Sequence, residues 1–387
     1  MGTRIRENLL RLGLKLLRRF DRRHPDPALL GTPAIQRILA VSSTAIGDAL
    51  LSTPALRSLR LAYPEARISL LLNAAYTELL ASNPDVDEII PYYGGYRRFW
   101  RLTWQLKQKH FDLVAILHGN EPQVTPLAYL SGAPFRFKLP NDNQFRFLLT
   151  NREPIYRWED FQHGIDQRLA VAKLAGGVPT DRRMTLPVRP EDRAAVAARL
   201  QAQGITDSSV LVGLQAGAST VSRRWSPEHF AELGRRLLAE RPAVHLVLTG
   251  SPGERALAAE VARLIDSPRV WNAAGQFPLG LLPALFSRLG TLVTGDTGPM
   301  HLAVAVGTPV VALFAVSDWR RSGPASDLDK HFVIQKWRTC DPCLSKRCPY
   351  ARPLCMANIS VDEVAAAVNG RLDGLPGGVA EDKGVSA

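Results

Sequence analysis

Apolar and polar positions follow two regimes along this chain. Over residues 1–24, Ile5, Leu9, Leu12, Leu16 and Phe20 recur at helical spacing, Leu10, Leu14 and Leu17 widen the stripe, and arginines fill the other face. His24-Pro25-Asp26-Pro27 stops this helix, and the prolines and Gly-Thr pair of residues 25–34 read as a linker. From residue 35 the pattern becomes short apolar runs separated by amphipathic stretches, the alternation of an α/β fold. In a first domain, 35–180, strands are predicted over 37–41, 68–72, 88–91 and 113–117, with helices over 49–63 and 97–109. A proline- and charge-rich stretch then predicts a hinge over 181–208. A second domain, 209–339, carries predicted strands at 210–214, 245–249, 270–272, 291–294 and 309–313, and helices near 227–241, 254–265 and 279–288. Residues 340–372 hold a cysteine cluster and a last helix, and the Gly-rich tail 373–387 is expected to be disordered.

Composition narrows this picture. With 387 residues, 46% of them hydrophobic, the chain holds two α/β domains with full cores. No apolar run approaches the roughly 20 residues that span a bilayer, and arginines interrupt every apolar stretch near the N-terminus. The expectation is a cytoplasmic protein with reduced cysteines. Net charge is +12, and half of it lies in residues 1–24, which hold eight basic and two acidic side chains. Such a balance calls for an anionic partner. The basic arm lacks interleaved aromatics and no nucleic-acid motif is present, which argues against nucleic acid. An amphipathic helix in the interface of an anionic membrane fits the arm, the alternative being a helix docked on the protein's own core.

Two turns carry candidate chemistry. After the predicted strand 291–294 comes Gly295-Asp296-Thr297-Gly298-Pro299-Met300-His301-Leu302, with Pro299 in the first turn of a small-residue helix. Free backbone N–H groups and the positive end of a helix dipole make this a site for a phosphate or pyrophosphate. Thr297 adds a hydroxyl and His301 an imidazole; the plainer reading is an ordinary capped helix. After strand 37–41, Ser42-Ser43-Thr44-Ala45-Ile46-Gly47-Asp48 opens the helix that begins at Ala49. Asp48 reads either as a helix cap or as a general base at the carboxyl edge of a parallel sheet.

Gly47-Asp48 before Ala-Leu-Leu-Ser-Thr-Pro-Ala-Leu-Arg, paired with the distant Gly-Asp-Thr-Gly-Pro-Met-His-Leu, resembles the heptosyltransferases of glycosyltransferase family 9 over about residues 35–370. The resemblance implies GT-B architecture, two Rossmann-like domains facing across a cleft. It also implies an ADP-activated heptose donor, a lipopolysaccharide core acceptor, inversion at the anomeric carbon, and no cofactor for catalysis. On these positions Asp48 matches the catalytic base, and Asp296, Thr297, Gly298 and His301 match the donor-pyrophosphate turn. Gln215-Ala216-Gly217-Ala218 followed by Ser222-Arg223-Arg224-Trp225-Ser226-Pro227 is similar to a family loop in which Arg223 stands where a lysine is usual. Arg223 would hold the donor phosphate bidentately, and Glu254 matches a carboxylate that binds the donor ribose. One departure is Phe314-Ala315-Val316-Ser317-Asp318, where relatives often read Phe-Gly-Pro-Thr-Asp; Ala315 bears on the fine donor specificity.

Cys340, Cys343, Cys348 and Cys355 lie within sixteen residues. In a cytosolic chain such a cluster reads as a structural zinc or iron site, with redox-labile or paired thiols and plain packed thiols as the other readings. The expected protein is therefore an inverting, metal-independent glycosyltransferase, peripheral to the inner membrane. The alternatives are a sugar-nucleotide epimerase of the same architecture and a non-enzymatic, membrane-docked sugar-nucleotide binder.

Overall fold

The computed structural model describes residues 3–340, 343–374 and 377–381. It divides into two compact units, Met1–Met184 and Thr185–Ala387, and the split falls inside the expected hinge.

The first unit runs α1 (Thr3–Arg19), β1 (Arg37–Ser42), α2 (Ile46–Leu51), α3 (Thr53–Ala62), β2 (Arg67–Asn73), β3 (Glu88–Tyr92), α4 (Phe99–Lys107), β4 (Leu113–His118), α5 (Val124–Leu130), β5 (Phe135–Phe137) and α6 (Gly164–Leu174). All five strands are parallel, in the order β3-β2-β1-β4-β5. Strands β1, β2 and β4 are almost wholly buried, as a sheet covered by helices on both faces requires. The helix expected over 49–63 is two helices that meet at Ser52, because Pro54 cannot donate to the ladder there. The Ser52 hydroxyl instead donates to the Asp48 carbonyl at 2.8 Å. Strand β5 lies outside the sequence expectation: it is three residues long, and its centre is Arg136. That buried guanidinium donates to the carbonyls of Leu148 and Pro134 at 2.8 and 2.9 Å, which satisfies a charge inside the unit.

Helix α1 is docked on the first unit along one edge and leaves its main apolar stripe uncovered. Leu14 packs on Tyr129, Phe145 and Leu148, with Leu10 beside it. The stripe Ile5, Leu9, Leu12, Leu16 and Phe20 faces outward, each residue 54–73% exposed. Residues 1 and 2 of the expected helix lie outside the described residues.

The second unit runs α7 (Pro190–Gln201), β6 (Val210–Gln215), α8 (Pro227–Glu240), β7 (Val244–Leu248), α9 (Arg255–Ile265), β8 (Val270–Asn272), α10 (Leu282–Ser287), β9 (Thr291–Gly295), α11 (Gly298–Ala305), β10 (Val310–Phe314), α12 (Trp319–Ser322), β11 (Phe332–Gln335), α13 (Leu354–Ala357), α14 (Val361–Leu372) and β12 (Gly378–Glu381). Its seven parallel strands follow the order β12-β11-β10-β9-β6-β7-β8. Trp225, Phe230, Leu246, Val293, Met356 and Val364 belong to one buried cluster that joins α8, α13 and α14 to the sheet. The expected hinge and the tail both hold structure of their own. The stretch read as hinge contains α7, started by Pro190 and an acidic first turn and anchored by buried Val196 and Leu200. The tail read as disordered from residue 373 adds β12, paired in parallel with β11 through the main chain; residues 382–387 lie outside the described residues.

Candidate active site

In each unit the strand order reverses once, between β1 and β4 and between β9 and β6. Ligands of open parallel sheets bind at the carboxyl ends of strands flanking such a reversal. Asp48 lies in α2, just past β1, and His118 closes β4. The loop carrying Arg223 follows β6, and the turn 296–298 follows β9.

Asp48 sits in the first turn of α2, where its Oδ2 accepts from the Ala45 N–H at 3.3 Å and from the Thr44 hydroxyl at 2.6 Å. The N-cap of α2 is Ala45, and Asp48, the third helical residue, reaches back to it with one carboxylate oxygen. The other oxygen, Oδ1, accepts from Arg168 Nη2 at 2.8 Å and lies 3.3 Å from His118 Nε2. Arg168 projects from α6, is 1% exposed, and also donates Nη1 to the Gly164 carbonyl at 2.6 Å. Burial pushes the Asp48 carboxyl up. The hydrogen bond and charge of His118, the charge of Arg168 and the Thr44 hydroxyl outweigh it and hold the group well below the usual carboxylate range. The result is a fixed anion with its orientation set by three elements of the first unit.

A cavity of about 280 Å³ opens beside it at the ends of β4 and β5, lined by His118, Asn120, Lys138, Arg157, Trp158 and Phe161 among others. Lys138 donates to the Gly119 carbonyl at 2.8 Å. Burial pulls its ammonium down to about 8, against the opposing charge of Glu121.

In the second unit, Arg223 Nη2 lies 3.2 Å from Asp296 Oδ2, and Ser317 donates its hydroxyl to that oxygen at 2.7 Å. Thr297 is the N-cap of α11, and its hydroxyl lies 3.0 Å from that of Thr294. Gly295 has to be glycine, since a Cβ would stand 2.7 Å from the Arg223 carbonyl. Arg223, Asp296, Thr297 and Gly298 are thus brought together, and His301 is buried one turn into α11. Glu254 accepts from the Ser251 N–H and hydroxyl through Oε2, at 2.7 and 2.8 Å. Its Oε1 lies against Gly217, where an added Cβ would stand 1.8 Å away. Glu254 therefore caps a helix and abuts the loop after β6 as well. Arg224 instead braces that loop, donating to the Ala218 carbonyl at 3.1 and 2.9 Å.

The model of glycosyltransferase family 9 (heptosyltransferase) matches residues 99–352. This chain belongs to glycosyltransferase family 9. It is an enzyme of the glycosyltransferase class with the two Rossmann-like domains of GT-B architecture. It is similar to lipopolysaccharide heptosyltransferase 2 of Escherichia coli K12, with 26% identity over 296 residues, 73% of this chain and 83% of the relative. The solved structure of a family 9 glycosyl transferase from Veillonella parvula superposes with a TM-score of 0.75 at 25% identity, over 88% of this chain and 97% of that one. The structure of E. coli ADP-heptose LPS heptosyltransferase II gives 0.74 at 24% identity, over 88% and 99%. The matched range contains Arg223, Glu254 and the turn at Asp296, and begins after Asp48.

Sequence reading of this family 9 enzyme missed His118, Arg168 and Ser317. Two signals were present: a histidine ending an apolar strand, and an arginine between Ile165 and Val171 on a buried helix face. The structural zinc or iron expected at the cysteines finds no cage. Among the described residues, no three His, Cys, Asp or Glu side chains are placed to hold an ion. Cys340, Cys343, Cys348 and Cys355 are free thiols. Cys355 is drawn into the apolar cluster beside Met356 and Ile359, where burial, with Cys343 and Cys348 nearby, pushes its thiol up. The packed-thiol reading describes Cys355.

Proposed function

We propose that this enzyme transfers a heptose-type sugar from an ADP-activated donor to a lipopolysaccharide inner-core acceptor, with inversion and without a catalytic metal. The observation that carries the reading is the Asp48 carboxylate, held ionised at the sheet reversal by Arg168, His118 and Thr44 in a family 9 glycosyltransferase. The acceptor hydroxyl attacks the anomeric carbon from the face opposite the diphosphate. Asp48 takes the hydroxyl proton as the new C–O bond forms, and the bond to the diphosphate oxygen breaks. Arg223 and the backbone N–H groups at the start of α11, beside Thr297 and Gly298, meet the charge on the departing diphosphate; His301 lies in the same helix. Asp296 orients Arg223 for this, and Glu254 receives the ribose. Arg223 fills the part a divalent cation plays in other nucleotide-sugar enzymes. The relatives' names, lipopolysaccharide heptosyltransferase 2 and ADP-heptose LPS heptosyltransferase II, support the sugar and the acceptor.

The same reading makes the enzyme peripheral to the cytoplasmic face of the inner membrane. Among the described residues no helix is long and apolar enough to cross a bilayer. The exposed stripe of α1 and its arginines supply an interfacial anchor instead. Incubation with ADP-heptose and a truncated core lipid, followed by mass analysis, tests the reaction. One added heptose in the presence of chelator is expected. An acceptor left unchanged, or a donor epimerised without acceptor, would refute the reading.

A further inference from the structure

The exposed stripe of α1 has a neighbour that the sequence reading did not single out. Helix α4 buries Phe99, Leu102 and Leu106 and turns Trp100 and Trp104 outward, 67% and 65% exposed. These two are one helical turn apart and so share a face. Arg97, Arg98, Arg101 and Lys107 surround them and are exposed too. The segment 93–111 contains no carboxylate at all. Tyr93, 61% exposed, extends the aromatic surface, with the Arg98 guanidinium 3.8 Å above its ring. Between the two helices runs an apolar groove of about 560 Å³, walled by Leu9, Leu10 and Leu17 of α1 and by Tyr96, Phe99 and Trp100.

We infer that α1 and α4 form one composite face that docks on an anionic lipid surface, with Trp100 and Trp104 entering the interface beside the α1 stripe. The inference rests on the membrane reading proposed above and adds a second contact to it. Charge decides the occupant. A second copy of this chain would bring the same unpaired cations face to face, whereas anionic headgroups neutralise them. Arginine and lysine stems let their heads reach the headgroups while the rings sit at the apolar boundary, the depth that tryptophan prefers. One helix alone would tether the enzyme; two helices on either side of a groove fix its orientation. Helix α4 starts just past the carboxyl end of β3, at the same sheet edge that carries Asp48. Docking through it turns that edge toward a lipid-borne acceptor.

The test uses the full chain and sucrose-loaded vesicles, either phosphatidylglycerol with phosphatidylethanolamine or phosphatidylcholine alone. The double variant Trp100→Gln/Trp104→Gln should bind the anionic vesicles about tenfold more weakly or worse, given the apolar area removed from contact. Leu12→Gln/Leu16→Gln should show a similar loss, and the combined variant a larger one. All are surface changes, so melting temperature and turnover on a soluble, delipidated acceptor should stay as in the parent. If the tryptophan variant binds like the parent while the α1 variant does not, the composite face is overturned and the α1 anchor stands. If the parent ignores anionic vesicles, the inference and the membrane reading both fall, and turnover on the soluble acceptor shows that the transferase reading survives. A parent that self-associates, and that the tryptophan variant renders monomeric without any change in lipid binding, would also overturn it.

Discussion

Replacing Arg168 by methionine tests how Asp48 is held. The guanidinium is 2% exposed and donates to Asp48 Oδ1 at 2.8 Å; the carboxylate is 26% exposed. Breaking a fully buried ion pair from one side costs about 3–5 kcal/mol. Here a quarter of the carboxylate reaches water, and Thr44 and His118 remain on it, so the expected loss is about 2–3 kcal/mol. In a unit of this size that is a fall in melting temperature of roughly 4–12 °C at neutral pH. The pH dependence separates charge from packing. In the parent the folded carboxyl is held below its unfolded value. Its stabilisation is therefore present above about pH 4 and is lost as pH falls below that, through the folded pKa. Without Arg168 the folded pKa rises, so less of that stabilisation exists to lose. The gap between parent and variant should be widest near about pH 7 and narrow as pH drops toward about 4 and below. The acidic limb of kcat/KM should move upward by the same cause, as expected for a residue that positions the base. Thermal unfolding and a pH-rate profile measure both. A gap that stays constant with pH, or an acidic limb that does not move, would show that Arg168 only fills space.

Asp48→Asn should lower turnover by about two to four orders of magnitude while ADP binding changes little, as single-turnover kinetics and calorimetry would report; its melting temperature should fall as well, because Arg168 stays buried without its counter-charge. Arg223→Ala should lose about 1.5–3 kcal/mol in donor affinity or turnover and nothing in apparent acceptor affinity; equal ADP affinity together with equal turnover would remove Arg223 from the donor site. Cys355→Ser should cost about 1–3 kcal/mol, because it puts a hydroxyl into an apolar cluster. Cys343→Ser should stay within about 0.5 kcal/mol, and urea unfolding of both variants would check the pair.

Much of this protein is local and was readable in the chain. Continuous runs of Ile, Leu and Val mark β1, β2, β4 and the central strands of the second unit, since a doubly covered parallel strand needs apolar residues on both faces. The Gly-Asp turns mark themselves through turn and cap chemistry, and the α1 stripe through its period. What the chain could not show depends on partners distant in sequence. Strand β5 is hidden by Arg136, whose charge is satisfied by the Leu148 carbonyl, 12 residues on, together with the nearby Pro134 carbonyl. Strand β12 exists through main-chain pairing with β11, to which side-chain pattern contributes nothing. Trp100 and Phe99 are adjacent and equally apolar, yet one is exposed and the other buried, because packing selects which side of α4 meets the sheet. Four close cysteines read alike in the chain, but the core takes Cys355 for itself. Asp48 stood out as a candidate from its turn, with a cap and a base both open, and the resemblance to family 9 favoured the base. Its state as a fixed anion was decided by His118 at the end of β4 and by Arg168, which lies 120 residues further along the chain and reaches it only once α6 has packed.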